Sequence, residues 1–180
     1  MELETERLIL RDFTADDWPV VLAYQSHPDY LRYNGWTHRT PEAVQAFVEM
    51  FIQCQQKDPR YQFQLAVVLK ETQQLIGNCG VRKESLDSHQ ADIGYEFAPE
   101  HWGKGYATEA ARAVVEFGFS TLRVHRIWTS LVADNTGSAH VLEKLGMQLE
   151  GRLRDAEYFK DRYWDTLIYG ILASEWNRSS

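Results

Sequence analysis

Two glycines flank a lysine at Gly103-Lys104-Gly105, where residue types and spacing suggest a binding chemistry. Glycine permits positive φ angles and close approach of the backbone to a ligand, so successive N–H groups at such a turn can converge on one anion. Lys104 adds a positive charge at the same place. The stretch predicts a phosphate-binding turn, although a glycine turn that only starts a helix has the same pattern.

Two elements must position this turn. Residues 91–98 before it are typical of a strand, and apolar residues recur at helical spacing over 107–122. A helix that begins after a glycine turn directs free N–H groups toward an anion. Two known phosphate-binding patterns are excluded, because no G-x-x-x-x-G-K-[ST] spacing occurs and Thr108 stands where G-x-G-x-x-G needs its third glycine.

Length and composition limit the class of protein. The 180 residues, 44% hydrophobic and 25% charged, predict one globular domain over residues 1–180. The net charge of -7 argues against a nucleic-acid partner and is compatible with a cationic acceptor. The acidic start lacks the layout of a signal peptide, no apolar run is long enough for a membrane span, and the histidines have no metal-ligand spacing. We therefore expect a cytoplasmic protein without a membrane or metal partner, with Cys54 and Cys79 reduced.

Periodicity and turn residues predict the remaining elements. Strands are expected near residues 5–12, 63–69, 75–81, 91–98, 125–133, 147–153 and 164–172. Helices are expected over about 16–27, 41–57, 107–122 and 135–146. An aromatic connector over 28–39 and a charged loop over 154–162 link them.

Two segments carry a resemblance to a known family. Residues 102–107, Trp-Gly-Lys-Gly-Tyr-Ala, resemble the acyl-CoA signature [Q/R]-x-x-G-x-[G/A] of the GNAT N-acetyltransferases, with Trp102 in place of Gln or Arg. Residues 135–147 look like the family's N-x-x-[A/S]…K-x-G-[F/Y] segment. Together with Trp164-Asp165 and the opening residues 3–8, the likeness covers almost the whole chain. It is greatest to the RimJ/RimL ribosomal-protein alanine N-acetyltransferase branch.

The resemblance implies a fold and a co-substrate. The expected fold is α/β (α+β): a single GNAT-type domain with a mixed, mostly antiparallel twisted sheet of six to seven strands. The sheet would be splayed at its middle and flanked by about four helices. The residues implied to bind acetyl-CoA are Phe97, Ala98, Trp102, Gly103, Lys104, Gly105, Tyr106, Ala107, Thr108 and Asn135.

The resemblance also implies direct transfer of an acetyl group from the CoA thioester to a primary amine. Glu96 would be the base, acting directly or through a water, and the N–H of Phe97 or Ala98 would stabilise the oxyanion. Leu142 stands where many family members have a tyrosine acid, so Ser138 is the candidate acid, as in the RimJ/RimL branch. Structural roles remain open: Glu96 as an ordinary strand carboxylate or ion-pair partner, and Asn135 and Ser138 as the start of a helix.

The acceptor is not fixed by these residues. A protein or peptide N-terminal amine is the first expectation, and a polyamine or aminoglycoside is the alternative. The segments 28–39 and 154–162 would form the acceptor walls, with Asp155, Glu157 and Asp161 attracting a cation. From other classes, a non-catalytic acyl-CoA sensor and an interaction module without a ligand stay open. A monomer and a homodimer are both compatible with the sequence.

Overall fold

A computed structural model describes residues 1–176 of the chain. Two 3-10 turns, Ala15–Asp17 and Pro99–His101, accompany the regular elements. In chain order these are β1 (Glu2–Glu4), β2 (Leu8–Arg11), α1 (Trp18–Gln25), α2 (Pro28–Leu31), α3 (Pro41–Gln55), β3 (Gln62–Leu69), β4 (Leu75–Lys83), β5 (Gln90–Phe97), α4 (Tyr106–Ser120), β6 (Arg126–Val132), α5 (Thr136–Lys144), β7 (Gln148–Phe159), β8 (Arg162–Leu172) and α6 (Ala173–Trp176). None of these helices combines the length and the apolar character that crossing a membrane would need.

The strands form one sheet in the order β1-β2-β3-β4-β5-β6-β8-β7. Every neighbouring pair is antiparallel except β5 and β6, which are parallel. The expected fold class is therefore confirmed. Within residues 1–176 the sheet has eight strands, because Glu2–Glu4 pairs with β2 as a separate strand that the sequence pattern did not predict. The helices α2 and α6 are single turns added to the four predicted helices.

The sheet opens between its two parallel strands. β5 and β6 pair only from Gln90 opposite Arg126 to Asp92 opposite Trp128. Beyond that point β5 continues to Phe97 beside β4, and β6 continues to Val132 beside β8. The backbone edges that face each other across this gap are therefore left without strand partners. The predicted splaying at the middle of the sheet is confirmed.

Apolar side chains cover both faces of the sheet. Side chains of a strand alternate between faces, so Leu65 and Val67 of β3 join one core cluster while Ala66 and Val68 join the other. The first cluster is closed by the apolar stripe of α4, in which Val114 is 1% exposed. The second is closed by α1 and α3. The two layers of helices hold β5 and the turn before α4 in fixed positions.

The prediction of a charged loop over residues 154–162 is wrong. Most of it is strand, because β7 continues to Phe159 and only the tip at Lys160 and Asp161 turns back into β8. Cross-strand aromatic contacts stabilise the extension, with Phe159 stacked on Trp164 at a ring-centroid distance of 4.9 Å. The charged residues lie on the exposed faces of this hairpin, so their sequence resembles a solvated loop.

Candidate active site

A cleft of about 480 Å³ opens where β5 and β6 diverge. The connector after α1 lines one wall, and the glycine turn and the first turn of α5 line another. β5 lines the cleft with Tyr95, Glu96 and Phe97. The cleft thus brings together several of the predicted site residues, namely Glu96, Phe97, Trp102, Gly103, Ala107, Asn135 and Ser138.

The glycine turn has the conformation that its sequence predicted. Gly103 and Gly105 adopt φ angles of +73° and +83°, in the left-handed region that side chains disfavour, and α4 begins at Tyr106. The N–H groups of residues 103–108 donate no hydrogen bond to any acceptor within residues 1–176. These groups lie at the N-terminus of α4, which is the positive end of the helix dipole, so the turn fits an anion such as a diphosphate.

Arg7, which the sequence analysis did not single out, braces this turn. Its guanidinium donates to the Lys104 carbonyl at 3.0 Å and to the Glu109 carboxylate at 2.7 Å, and lies 4.5 Å from the centre of the Tyr106 ring. Burial raises the pKa of Glu109, but hydrogen bonds from Thr5 and Arg7 outweigh it and hold that pKa below its usual value. The negative charge of Glu109, in the first turn of α4, is thereby balanced by Arg7. The Lys104 ammonium has no ion-pair partner in the described chain.

Four neutral donors hold Glu96. Its Oε1 accepts from the Tyr24 hydroxyl at 2.8 Å, the Gln25 amide at 2.8 Å and the Asn78 amide at 2.6 Å. Its Oε2 accepts from the Tyr30 hydroxyl. The donors come from α1, α2 and β4, which is why the local sequence around Glu96 gave no sign of them. The signal present in the sequence was polar residues inside apolar runs, such as Asn78 within β4.

The two tyrosines remain donors at neutral pH. Burial, together with the Glu96 carboxylate, raises the pKa of both Tyr24 and Tyr30 above the usual value. No lysine or arginine within residues 1–176 forms an ion pair with Glu96, so the ion-pair role considered from the sequence is wrong. A carboxylate oxygen accepts about two hydrogen bonds along its lone pairs, so Oε1 is full and Oε2 keeps room for one more.

The register of β4 and β5 decides which N–H group faces the cleft. The Ala98 N–H donates to the Ile76 carbonyl at 2.9 Å, so Ala98 and Ile76 form a hydrogen-bonded antiparallel pair. Such pairs alternate with pairs whose N–H groups point away from the partner strand, so the Phe97 N–H points toward the gap beside β6. The prediction of Ala98 as an oxyanion donor is therefore wrong, because β4 already uses its N–H. Phe97 stays a candidate.

Trp102 replaces the Gln or Arg of the acyl-CoA signature and makes a contact of its own. The indole Nε1 donates to the Phe97 carbonyl at 2.8 Å, while the ring lines the cleft and is 47% exposed. The indole thus satisfies the outward-facing carbonyl of Phe97 and leaves that residue's N–H to a ligand.

Asn135 and Ser138 start α5 and line the cleft. The Asn135 Oδ1 accepts the Ser138 N–H at 3.2 Å, which is the helix cap that the sequence pattern allowed. The Asn135 amide NH₂ and the Ser138 hydroxyl have no hydrogen-bond partner in the described residues, so both can serve a ligand. The Tyr95 hydroxyl donates to the Ser138 carbonyl at 3.0 Å and fixes this turn. Leu142 is 1% exposed and belongs to the core.

Comparison with known proteins assigns the family. Residues 7–148 match the family described as "Acetyltransferase (GNAT) domain". The chain is 33% identical to the uncharacterized N-acetyltransferase p20 of Bacillus licheniformis over 175 residues, and this aligned region covers 97% of each protein. The chain belongs to the GNAT acetyltransferase family. It is accordingly an N-acetyltransferase that uses acetyl-CoA.

Solved structures agree with this assignment. A GNAT-family acetyltransferase from Bacillus anthracis, 32% identical, superimposes with a TM-score of 0.84 over 97% of this chain and 100% of that one. Two structures at 21% identity share the fold. They are a spermidine N-acetyltransferase from Vibrio cholerae with CoA and spermine (TM-score 0.81, 96% and 99% coverage) and a ribosomal-protein-S5-alanine acetyltransferase from Vibrio fischeri (0.80, 98% and 98%).

The two segments expected to form acceptor walls in this GNAT enzyme are in contact. Lys160 at the tip of the β7–β8 hairpin donates to the Leu31 carbonyl, and the Tyr33 ring meets Trp164 edge to face at 6.2 Å. The three acidic residues expected to attract a cation do not line the cleft, since Asp155, Glu157 and Asp161 sit on the extended hairpin. The acidic lining is Asp29 and Glu96, and Arg32 is the basic residue beside them.

Proposed function

We propose that this GNAT enzyme acetylates the N-terminal α-amine of a protein or peptide, by direct attack of the amine on the thioester of acetyl-CoA. The observation that carries the proposal is the position of Glu96: a carboxylate held by four neutral donors, in a cleft it shares with the unpaired N–H of Phe97. Such a pair can take a proton from the amine and stabilise the oxygen of the attacked carbonyl.

The co-substrate fits the free groups of the turn and of α5. The N–H groups of residues 103–108, with Lys104 beside them, would hold the diphosphate, and the Asn135 amide would donate to the pantetheine arm. Ala107 and Trp102 line the same path. Acetyl-CoA supplies an activated carbonyl, and the chain's part is to hold it against the amine.

Proton transfer follows from the open positions. As the new C–N bond forms, the amine proton passes to Glu96 Oε2, directly or through a water, because Oε1 already accepts three hydrogen bonds. The oxygen of the attacked thioester carbonyl accepts a hydrogen bond from the Phe97 N–H. When the C–S bond breaks, the thiolate takes a proton from the Ser138 hydroxyl, which has no hydrogen-bond partner in the described residues. The serine oxygen regains a proton from solvent water, and Glu96 returns the amine proton to solvent.

The charge of the cleft favours an acceptor with one amine. An α-amine has a pKa of about 7.7–8.0, against about 10.4 for an alkyl amine, so much of it is neutral near pH 7.5. A weak base such as Glu96, with one open acceptor position on Oε2, is therefore sufficient to deprotonate an α-amine. The cleft lining carries two carboxylates, those of Asp29 and Glu96, and one guanidinium, that of Arg32, so little net negative charge faces an acceptor. A polyamine with three or four positive charges would gain more from several carboxylates.

A small cationic amine is the second candidate. The net charge of -7 favours the approach of cations, and spermidine N(1)-acetyltransferase of Vibrio cholerae is 30% identical over 114 residues, 63% of this chain. The family assignment argues against the non-catalytic acyl-CoA sensor that the sequence left open, although the buried Leu142 stands where many family members have a tyrosine acid.

The experiment is an acceptor panel that measures thiol release from acetyl-CoA. We expect a peptide with a free N-terminus to be acetylated, and the same peptide with a blocked N-terminus and an internal lysine to be inert. Faster turnover of spermidine or an aminoglycoside would replace the peptide proposal by the second candidate. A raised melting temperature with CoA but no turnover on any amine would favour the sensor. The Glu96→Gln variant is the control for enzymatic turnover.

A further inference from the structure

Three buried side-chain amides surround Glu96 or lie one contact behind it. Gln25 is 1% exposed, Asn78 1% and Gln64 5%. An amide can present either its oxygen or its NH₂ to a neighbour, and only the NH₂ stabilises a carboxylate. In a buried site the wrong orientation sets an acceptor against an acceptor, which costs free energy. Some feature must therefore hold Gln25 and Asn78 with their NH₂ groups toward Glu96, and Gln64 with its NH₂ toward Asn78.

Arg39 sets the orientation of the first amide. Its Nε donates to the Gln25 Oε1 at 2.9 Å, and the Gln25 Nε2 donates to Glu96 Oε1 at 2.8 Å. A guanidinium has donors and no acceptor. The oxygen of Gln25 must therefore face Arg39, which leaves its NH₂ facing Glu96.

Arg82 sets the orientation of two amides in series. Its Nη1 donates to the Gln64 Oε1 at 3.2 Å, and the Gln64 Nε2 donates to the Asn78 Oδ1 at 2.6 Å. The Asn78 Nδ2 then donates to Glu96 Oε1 at 2.6 Å. All hydrogen bonds in this series therefore run in one direction. The series starts at a guanidinium, which has only donors, and ends at a carboxylate, which accepts.

We propose that Arg39 and Arg82 are positioning residues for Glu96, each acting through buried amides that it orients to donate to Oε1. The proposal rests on the function of Glu96 proposed above. Within residues 1–176 no ion pair joins either guanidinium to Glu96 directly. The hydrogen bonds that connect them to the carboxylate therefore pass through the amides, and Oε2 is left as the reactive oxygen.

Both arginines also make contacts that have nothing to do with Glu96. Arg39 lies over the Trp36 ring, 4.8 Å from its centre, and Arg82 forms an ion pair with Asp92. Loss of either side chain could lower stability through these contacts alone. The test must distinguish a loss of packing from a loss of amide orientation.

A double-mutant cycle makes that distinction. We expect Arg39→Met to lower kcat about tenfold, as for one lost hydrogen bond to a charged group, with little change in KM. In a Glu96→Gln background the same change should alter kcat less than about twofold, because the group that Arg39 acts upon is gone. An equal loss in both backgrounds would mean a structural role and would overturn the proposal.

Three further variants sharpen the result. Arg39→Lys keeps a donor toward Gln25 and should restore most of kcat. Arg60→Met is the matched control, because Arg60 lies over Phe63 at 4.4 Å and pairs with Asp12 but has no path to Glu96; its kcat should stay unchanged. Should Arg39→Met fail to fold, Arg82→Met tests the second series in the same cycle.

Failure of this inference can be told from failure of the proposed function. Absence of thiol release by the unaltered enzyme, or an unchanged kcat in Glu96→Gln, would overturn both. A low kcat in Glu96→Gln combined with an unchanged kcat in Arg39→Met and Arg82→Met would overturn only the positioning role. A loss in each arginine variant that disappears in the Glu96→Gln background supports it.

Discussion

The Tyr30 hydroxyl donates a hydrogen bond to Glu96 Oε2, although the two residues lie 66 positions apart in the chain. Both line the cleft, and Tyr30 belongs to the connector wall while Glu96 belongs to β5. This contact therefore couples the segment that would meet an acceptor to the oxygen that would receive its proton.

Replacing Tyr30 by phenylalanine should lower kcat about tenfold, because Oε2 loses the donor that directs its remaining lone pair. The ring that packs against Tyr24 is kept, so the melting temperature should change little. Steady-state kinetics with the best acceptor measure the effect. Tyr163→Phe is the control, since Tyr163 is 62% exposed and its hydroxyl has no hydrogen-bond partner within residues 1–176. Equal kcat values in the two variants would argue against the contact having a function.

Changing Glu96 to glutamine should lower kcat by about 10²–10⁴-fold, the usual contribution of a general base. Affinity for CoA should stay the same, because the glycine turn proposed to hold the diphosphate is untouched. Kinetics and calorimetric titration of CoA measure the two quantities. An unchanged kcat at saturating substrates would exclude Glu96 as the base.

Changing Gly105 to valine should weaken CoA binding at least about tenfold. Gly105 has a φ of +83°, where a β-branched side chain is strained, and the added atoms would stand beside the N–H groups meant for the diphosphate. The measurement is the Kd for CoA in a variant shown by circular dichroism to be folded. Gly151→Val is the control, because an added Cβ there meets no atom within 4 Å and the φ is ordinary. Equal Kd values would remove the turn from the site.

Changing Glu109 to glutamine should lower the free energy of unfolding at pH 7 by about 1.5–3 kcal/mol, the range for hydrogen bonds to a charged group. The folded-state pKa of Glu109 lies below its usual value of 4.5. Its stabilisation is therefore complete above that value and is lost as pH falls through the lowered pKa. Urea denaturation at pH 7 and near pH 3 should show the difference between the proteins shrinking in acid. Glu84→Gln, an exposed control, should show no difference at either pH.

Changing Ser138 to alanine should lower kcat by a smaller factor than Glu96→Gln. A departing thiolate has a pKa near 8.5 and needs little help from an acid. The Ser138 N–H that caps onto Asn135 is backbone and is retained, so the start of α5 should stay intact. The rate of thiol release, compared at equal CoA saturation, measures the effect; a rate equal to that of the unaltered enzyme would exclude Ser138 as the acid.

Features that depend on local backbone preference were predictable from the sequence. The positive φ angles at Gly103 and Gly105, the strand before them and α4 after them all follow from residue types within one short segment. The extended β7–β8 hairpin was not predictable in this way. Its strand character is stabilised by contacts such as Phe159 on Trp164, whereas the charged residues between them favour a loop when read alone.

The sequence by itself determined the family, the glycine turn before α4 and Glu96 as the carboxylate on the strand ahead of it. Only the tertiary structure decided what surrounds that carboxylate, because its donors come from α1, α2 and β4, and their polar groups meet only when the helices pack on the sheet. The same holds for the choice of Phe97 over Ala98, which depends on the pairing of β5 with β4. A residue's type limits the chemistry it can perform, but the direction in which its N–H or carboxylate points is set by partners distant in the chain.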